Sequence, residues 1–339
     1  MNVRRSTPRI KPAAVAVAGA TVLGLLALSA CSSSDATGGG EDGKLDVVAS
    51  FYPMQFLAEE IGGRHVSVSS LTKPGQEPHD LEINPRQTAQ LSSAGLIVYL
   101  KGLQPAVDEA VDLSEAKNTV DAASLTRLEH HGTEVGHNHS EAGEHGKGEH
   151  TDENSQGHDH GSEDGASDPH IWLDPLKYAQ IAKGVGKAME KADPDHAADY
   201  KKNTAALVGK LGGLDDDFKA GLENRATDTF ITTHAAFGYL AERYGLVQES
   251  IKGLDPESEP SPARMKELQS IAGKDKATTV FYETLVSDSA AKTVAGDTGL
   301  KTDVLDPIEG ITPKKSRGDD YFEVQRSNLK ALRQALGAK

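Results

Sequence analysis

Thirteen histidines mark this chain, and they occupy two kinds of setting. Six crowd into one polar stretch over residues 137–160, "HNHSEAGEHGKGEHTDENSQGHDH". Its HxH pairs, His137 with His139 and His158 with His160, have the spacing of weak metal ligands. Most of the other seven are sparse. His79 lies in "KPGQEPHDLEINP", His170 in "SDPHIWLDP" and His234 in "FITTHAAFG". A carboxylate, Asp306, lies in "VLDPIEG". Three imidazoles and one carboxylate are a natural tetrahedral set for zinc. A lone histidine beside a strand end, however, is more often a surface or hydrogen-bonded residue. Spacing alone does not assemble these four into one site. His65 and His196 stand in bland settings, a turn and a helix start.

The elements that must position these residues follow a regular alternation. "LDVVASF", "VSVSSLT", "GLIVYL" and "NTVDA" read as strands, separated by the helical stretches "PMQFLAEEIG", "NPRQTAQLSSAG" and "QPAVDEAVDL". Asn84 is an N-cap candidate, with Pro85 in the first turn. Strands alternating with short helices imply βαβ units and a parallel sheet. The same alternation returns after residue 225, with strands "TFITT", "VQESIKG", "TTVFYE" and "TDVLD" and a last helix over 319–336. Between the halves lies a helical stretch. Its second helix, residues 196–224, carries Tyr200, Thr204, Leu207, Leu211, Leu214, Phe218 and Leu222 on one face and would be about 40 Å long. Gly209, Gly212 and Gly213 within it suggest a kink or a close packing contact, since each costs roughly 1 kcal/mol against alanine. The fold class is therefore α/β, with two βα lobes, each with a parallel four-stranded sheet, joined by a long helix. His79, His234 and Asp306 fall just beyond strands, on the edge where such sheets bind ligands, and the cleft between lobes is the expected site.

The chain ends and the insertion have other properties. Residues 1–30 show a basic segment and an apolar run, the pattern of a secretory signal. The run meets Cys31 in "LSAC", which looks like a bacterial lipobox. Cys31 is the only cysteine, so no disulfide within the chain and no thiolate ligand is available. Residues 31–44 read as a Ser/Gly-rich tether. Residues 45–174 form the expected N-terminal lobe, interrupted over 129–167 by the histidine-rich insertion, which is too polar to fold on its own. Residues 175–224 hold the connecting helices and 225–339 the C-terminal lobe. The net charge of −15 argues against a nucleic-acid partner.

Five ordered motifs, the first of them in two linked segments, resemble one family. "VVASFYPMQFLAEEIGG" followed by "LTKPGQEPHDLEINPRQ", then "PHIWLDP", "THAAFGYLAERYGL", "PESEPSPARMKEL" and "VLDPIEG" are similar to the cluster A-I solute-binding lipoproteins of zinc and manganese ABC importers. The resemblance runs from about residue 45 to the end, outside the insertion. It implies metal ligands at His79, His170 and His234, with Asp306 as the fourth, and an acceptor for a ligand imidazole at Glu283. It implies a monomer anchored by Cys31 at the outer face of the cytoplasmic membrane, with an ABC permease as partner and Zn2+ as cargo. Imidazole favours zinc and other late metals, whereas manganese prefers oxygen. The alternatives are a manganese or iron importer component and a surface zinc buffer or adhesin. A zinc hydrolase using Glu77 or Glu283 as base is disfavoured, because no HExxH pair exists and a fourth protein ligand would fill the water position. The insertion is expected to collect zinc weakly beside the tight site, through His137, His139, His158 and His160, or to act only as a spacer.

Overall fold

The computed structural model describes residues 43–132, 134–135, 167–310 and 320–339. Cys31 and most of the tether lie outside them. So do the four histidines expected to bind zinc weakly, His137, His139, His158 and His160.

In the first lobe, β1 (Leu45–Ala49), β2 (Val66–Ser70), β3 (Leu96–Tyr99) and β4 (Thr119–Asp121) form a parallel sheet in the order β2-β1-β3-β4. The inner strands β1 and β3 are almost wholly buried, as expected for strands covered by helices on both faces. The crossover helices are α1 (Tyr52–Gly62), α2 (Pro85–Ser93) and α3 (Pro105–Leu113). Asn84 caps α2 as its sequence suggests, accepting from the N–H groups of Arg86 and Gln87 while Gln87 reaches back to the Asn84 N–H.

The second lobe repeats the order. β6 (Thr229–Thr232), β7 (Val247–Ser250), β8 (Thr279–Tyr282) and β9 (Lys301–Val304) run parallel as β7-β6-β8-β9. They are linked by α6 (Gly238–Tyr244), α7 (Pro262–Lys274) and α8 (Ser289–Thr298), and α9 (Tyr321–Leu336) closes the fold. One strand is not legible in the sequence. β5 (Glu134–Val135), from the start of the histidine-rich insertion, pairs antiparallel with β7 and gives this sheet a fifth member. The insertion therefore has placed ends: Asp168 N–H also donates to Glu129 O at 2.9 Å.

α4 (Pro175–Ala192) and α5 (Ala197–Gly221) join the lobes. α5 is about 37 Å long at 1.5 Å per residue. Tyr200, Thr204, Leu207, Leu211, Leu214 and Phe218 form its buried face. It starts and ends slightly inside the expected 196–224, and Asn224 takes φ 53° in the turn that follows. The helix runs unbroken through Gly209, Gly212 and Gly213, and a Cβ at any of them would meet nothing within 4 Å. Neither a kink nor a close contact explains these glycines. Gly209→Ala and Gly213→Ala should each stabilise the protein by about 1 kcal/mol, and thermal melts should show a gain of about 2 °C each. No gain from either would mean that α5 is not continuous there in solution.

The main apolar core runs through both lobes, from Val47 and Leu57 past Trp172, Tyr178 and Leu211 to Phe230 and Leu332, and a smaller apolar cluster lies in each lobe, around Ile97 in the first and Val280 in the second. Trp172 is the pivot of the main core. It packs edge-on against Phe51 with ring centroids 5.0 Å apart, and its Nε1–H donates to Pro307 O at 2.7 Å. The segment carrying His170 is thereby tied to the loop after β9.

Candidate metal centre

Four segments reach one point between the lobes. His79 comes from the loop after β2. That loop is pinned to its own lobe: Gln104 Nε2–H donates to Pro78 O (3.1 Å) and Thr72 Oγ1 (3.0 Å), and Thr72 Oγ1–H donates to Ser50 O (2.9 Å). His170 precedes a 3-10 turn, Ile171–Leu173, that leads into α4. His234 lies just past the C-terminal end of β6, where Thr232 Oγ1–H and Gln248 Nε2–H both donate to its carbonyl. β6 and β8 flank the point where the strand order reverses, the usual ligand position in such sheets. The fourth residue is Glu309, in the loop after β9.

The Nε2 atoms of His79, His170 and His234 lie 3.4, 3.0 and 3.4 Å from Glu309 Oε1. Among the described residues these four side chains form a cluster whose donor atoms all lie within 4.8 Å of one another. A tetrahedral zinc with bonds of about 2.0–2.1 Å needs donor separations of about 3.3 Å. The distances to Glu309 are close to this, and the donor atoms, which lie within 4.8 Å of one another, would draw in by at most about 1.5 Å around an ion. His170, His234 and Glu309 are buried, while the His79 side chain keeps 11% exposure and forms the rim. His234 Nε2 and Glu309 Oε2 are buried without a hydrogen-bond partner, which a bound cation would relieve. The expected auxiliary ligands His137, His139, His158 and His160 lie outside the described residues.

The imidazoles are oriented from behind. Asp168 Oδ1 accepts from His170 Nδ1–H at 2.7 Å and from the His170 N–H at 2.9 Å. Glu283 Oε1 accepts from His234 Nδ1–H at 2.6 Å and from the Thr233 hydroxyl. Each carboxylate fixes the tautomer that leaves the Nε2 lone pair for a metal. Glu283, which the resemblance offers as an acceptor for a ligand imidazole, is thus paired with His234. Asp168 was missed, although an Asp two residues before a ligand histidine is a signal for a local turn.

Asp306 does not join the cluster. Its Oδ1 accepts from the Ile308 N–H at 2.9 Å and its Oδ2 from the Thr284 hydroxyl at 3.0 Å. Asn328 brackets its backbone, accepting from the Asp306 N–H at 2.9 Å and donating to its carbonyl at 2.7 Å. This clamp holds Ile308 at φ 60°, a rare conformation for a β-branched residue. The reversed backbone at Ile308 then turns Glu309, three residues beyond Asp306, into the cleft.

The electrostatics fit a cation site. Burial would raise Glu309, but the imidazoles of His170, His234 and His79 beside it hold its carboxyl well below the usual range. Burial would lower His234, but Glu283 and then Glu309 hold it well above an ordinary imidazole. His170 is raised in the same way by Asp168 and Glu309 against its burial. Glu77 lies behind the rim, its Oε1 accepting the His79 N–H at 3.0 Å; burial, then Glu309, pushes its carboxyl up to about 8. The two bland histidines form a separate surface pair. His65 and His196 stack at 3.9 Å, beside Asp199 and Asp193 respectively.

Over residues 47–335 the chain matches the family described as ZnuA, zinc-uptake complex component A, periplasmic. It is 35% identical over 300 residues to the zinc-binding protein AdcA of Streptococcus pyogenes serotype M3, covering 86% of this chain and 56% of that protein. It is 32% identical over 321 residues to the high-affinity zinc uptake system protein ZnuA of Bacillus subtilis, covering 93% and 95%. The crystal structure of the Zn(II)-bound ZnuA-like domain of Streptococcus pneumoniae AdcA superimposes with a TM-score of 0.68 at 31% identity, covering 87% of this chain and 99% of that one. The chain thus spans just over half the length of the streptococcal AdcA it matches and nearly all of the Bacillus protein.

Proposed function

This chain belongs to the ZnuA family, zinc-uptake complex component A, and on that premise we propose that it captures Zn2+ outside the cytoplasm and passes it to an ABC-type importer. One observation carries the reading: three imidazole Nε2 atoms and the Glu309 carboxylate converge between the lobes. His79, His170 and His234 supply the nitrogen donors and Glu309 the oxygen donor. The three buried donors preorganise the pocket, and His79 at the rim completes it when the ion arrives. Three imidazoles to one carboxylate favour zinc over manganese. Four protein donors fill a tetrahedron and leave no place for a reactive water, which supports a carrier over a hydrolase. The family and the lipoprotein-like "LSAC" support export and anchoring through Cys31, with the folded body facing a permease as a monomer. His137, His139, His158 and His160 collect zinc weakly and raise its concentration near the cleft.

Calorimetric titration of metal-free protein with Zn2+ tests this. One tight site per folded chain is expected, together with any weak sites on the insertion. Absence of a tight site, or a tight site that survives His170→Ala and His234→Ala together, would overturn the assignment.

A further inference from the structure

The histidine-rich insertion begins with a histidine that contacts the zinc site from outside. His131 Nδ1–H donates to Asp168 Oδ2 at 2.7 Å, opposite the oxygen that holds His170. Asp168 is fully buried, and its carboxylate bridges the two rings. Its backbone is held as well, by Glu129 O on its N–H and the Tyr239 hydroxyl on its carbonyl. The His131 side chain is itself only 7% exposed. It lies edge-on to Tyr239 with ring centroids 4.7 Å apart, and its Nε2 faces Glu242 Oε2 at 3.4 Å. Its seat depends on Gly238, the first residue of α6. A Cβ there would come within 2.4 Å of the imidazole Cγ and Nδ1. The position is built from four directions, unlike an incidental member of a polar tract.

We propose that His131 is a positioning residue of the metal centre: it fixes the Asp168 carboxylate that orients His170, so that the stem of the histidine-rich insertion is part of the site it serves. The inference rests on the zinc reading above. The physical reason is the two-sided grip on one carboxylate. With Oδ2 deprived of its donor, a buried acceptor is left unpaired. The carboxylate is then free to rotate, and the bond from His170 Nδ1–H to Oδ1 loosens. That bond sets the tautomer and aim of a metal ligand, and such outer partners are typically worth 10–100-fold in metal affinity.

The test compares wild type with His131→Phe, His131→Asn and Gly238→Ala, using chelator competition for Zn2+ and the visible absorption of the Co2+ form. Phe keeps the ring and removes the donor; Asn places an N–H near the position of Nδ1; Gly238→Ala displaces the ring without altering it. His131→Phe and Gly238→Ala should weaken zinc about tenfold and shift the Co2+ bands, which report ligand geometry. His131→Asn should recover most of both. If His131→Phe does not fold, the Gly238→Ala and Asn arms decide alone. Wild-type affinity in His131→Phe or in Gly238→Ala overturns the proposal, as does lost affinity with an unchanged Co2+ spectrum, or an Asn variant as weak as Phe. Glu309→Gln is the control for the parent reading. If that variant loses zinc while His131→Phe keeps it, only this inference falls. If wild type binds no zinc, the zinc reading itself falls.

Discussion

Zinc affinity should fall by about 10²–10³-fold in His234→Ala and in His170→Ala, by about 10–100-fold in Glu309→Gln, and by less than tenfold in Asp306→Asn. A zinc ion held by four protein donors binds with about 10–16 kcal/mol, so one donor is worth roughly 3–4 kcal/mol, and each 1.4 kcal/mol is a factor of ten. Both imidazoles are buried, so alanine leaves a cavity where the metal needs a donor. Gln at position 309 keeps a carbonyl oxygen in place and loses only the charge. Asn at position 306 keeps Oδ1 to accept from the Ile308 N–H, so the turn that aims Glu309 should persist. Chelator competition on the four variants gives the order. An Asp306→Asn effect larger than that of Glu309→Gln would return the fourth ligand to Asp306.

Zinc binding at neutral pH should release protons, and affinity should drop steeply with acidity. In the metal-free centre, Glu283 and Glu309 raise His234 against its burial, and Asp168 and Glu309 do the same for His170. Protons therefore sit where the cation will sit and must leave before it binds. Each displaced proton costs about tenfold in affinity per pH unit in the range where the imidazoles are charged. With one or two displaced, affinity should fall about 10²–10⁴-fold from about pH 7.5 to about pH 5.5. The stability of the metal-free protein has the opposite sign. The raised imidazoles contribute stability that is fully present below about pH 6.5, their value in the unfolded chain, and is lost as pH rises through the folded value. Glu309, held low, contributes stability present above its unfolded value of about 4.3 and lost as pH falls through its folded value. Titration in two buffers of different ionisation enthalpy measures the proton count. Flat affinity across this range with no proton release would contradict a three-imidazole site.

Much of this arrangement is legible in the residues themselves. The strands of both sheets declare themselves through apolar runs such as "LIVY" and "TFIT", and the helices between them through Pro and Asn at their starts. Given two βα lobes, His79 falls in the loop after β2 and His234 just past β6, on the edge where such sheets bind ligands. The failures have local physical causes. "LDPIEG" offers two carboxylates three residues apart, and only the left-handed backbone at Ile308 decides which enters the cleft. Nothing in a β-branched residue announces that conformation. An Asp before Pro is a turn former, and that is the work Asp306 does. His131 is hidden for another reason. It lies in a polar tract whose composition masks single residues, and its partners Asp168, Tyr239 and Gly238 are far from it in sequence. The HxH spacing of His137 with His139 and of His158 with His160 draws attention within that tract, whereas the histidine that touches the site, beside His130, belongs to no such spacing. The three glycines of α5 warn of a break that the helix does not have, because its buried leucines outweigh their local cost.

The short strand β5 also bears on solubility. β7 would otherwise lie at the edge of the second sheet, and such an edge exposes backbone N–H and C=O groups that can template the addition of another chain. Glu134 and Val135 pair with Glu249 and Gln248 and cover part of that row. The stem of the insertion is therefore an edge guard as well as a neighbour of the metal ligands. A loop-deletion variant cut at the compositional limits, residues 129–167, would strip the guard from β7 and remove His131 in the same step. Cutting within residues 136–166 leaves both in place.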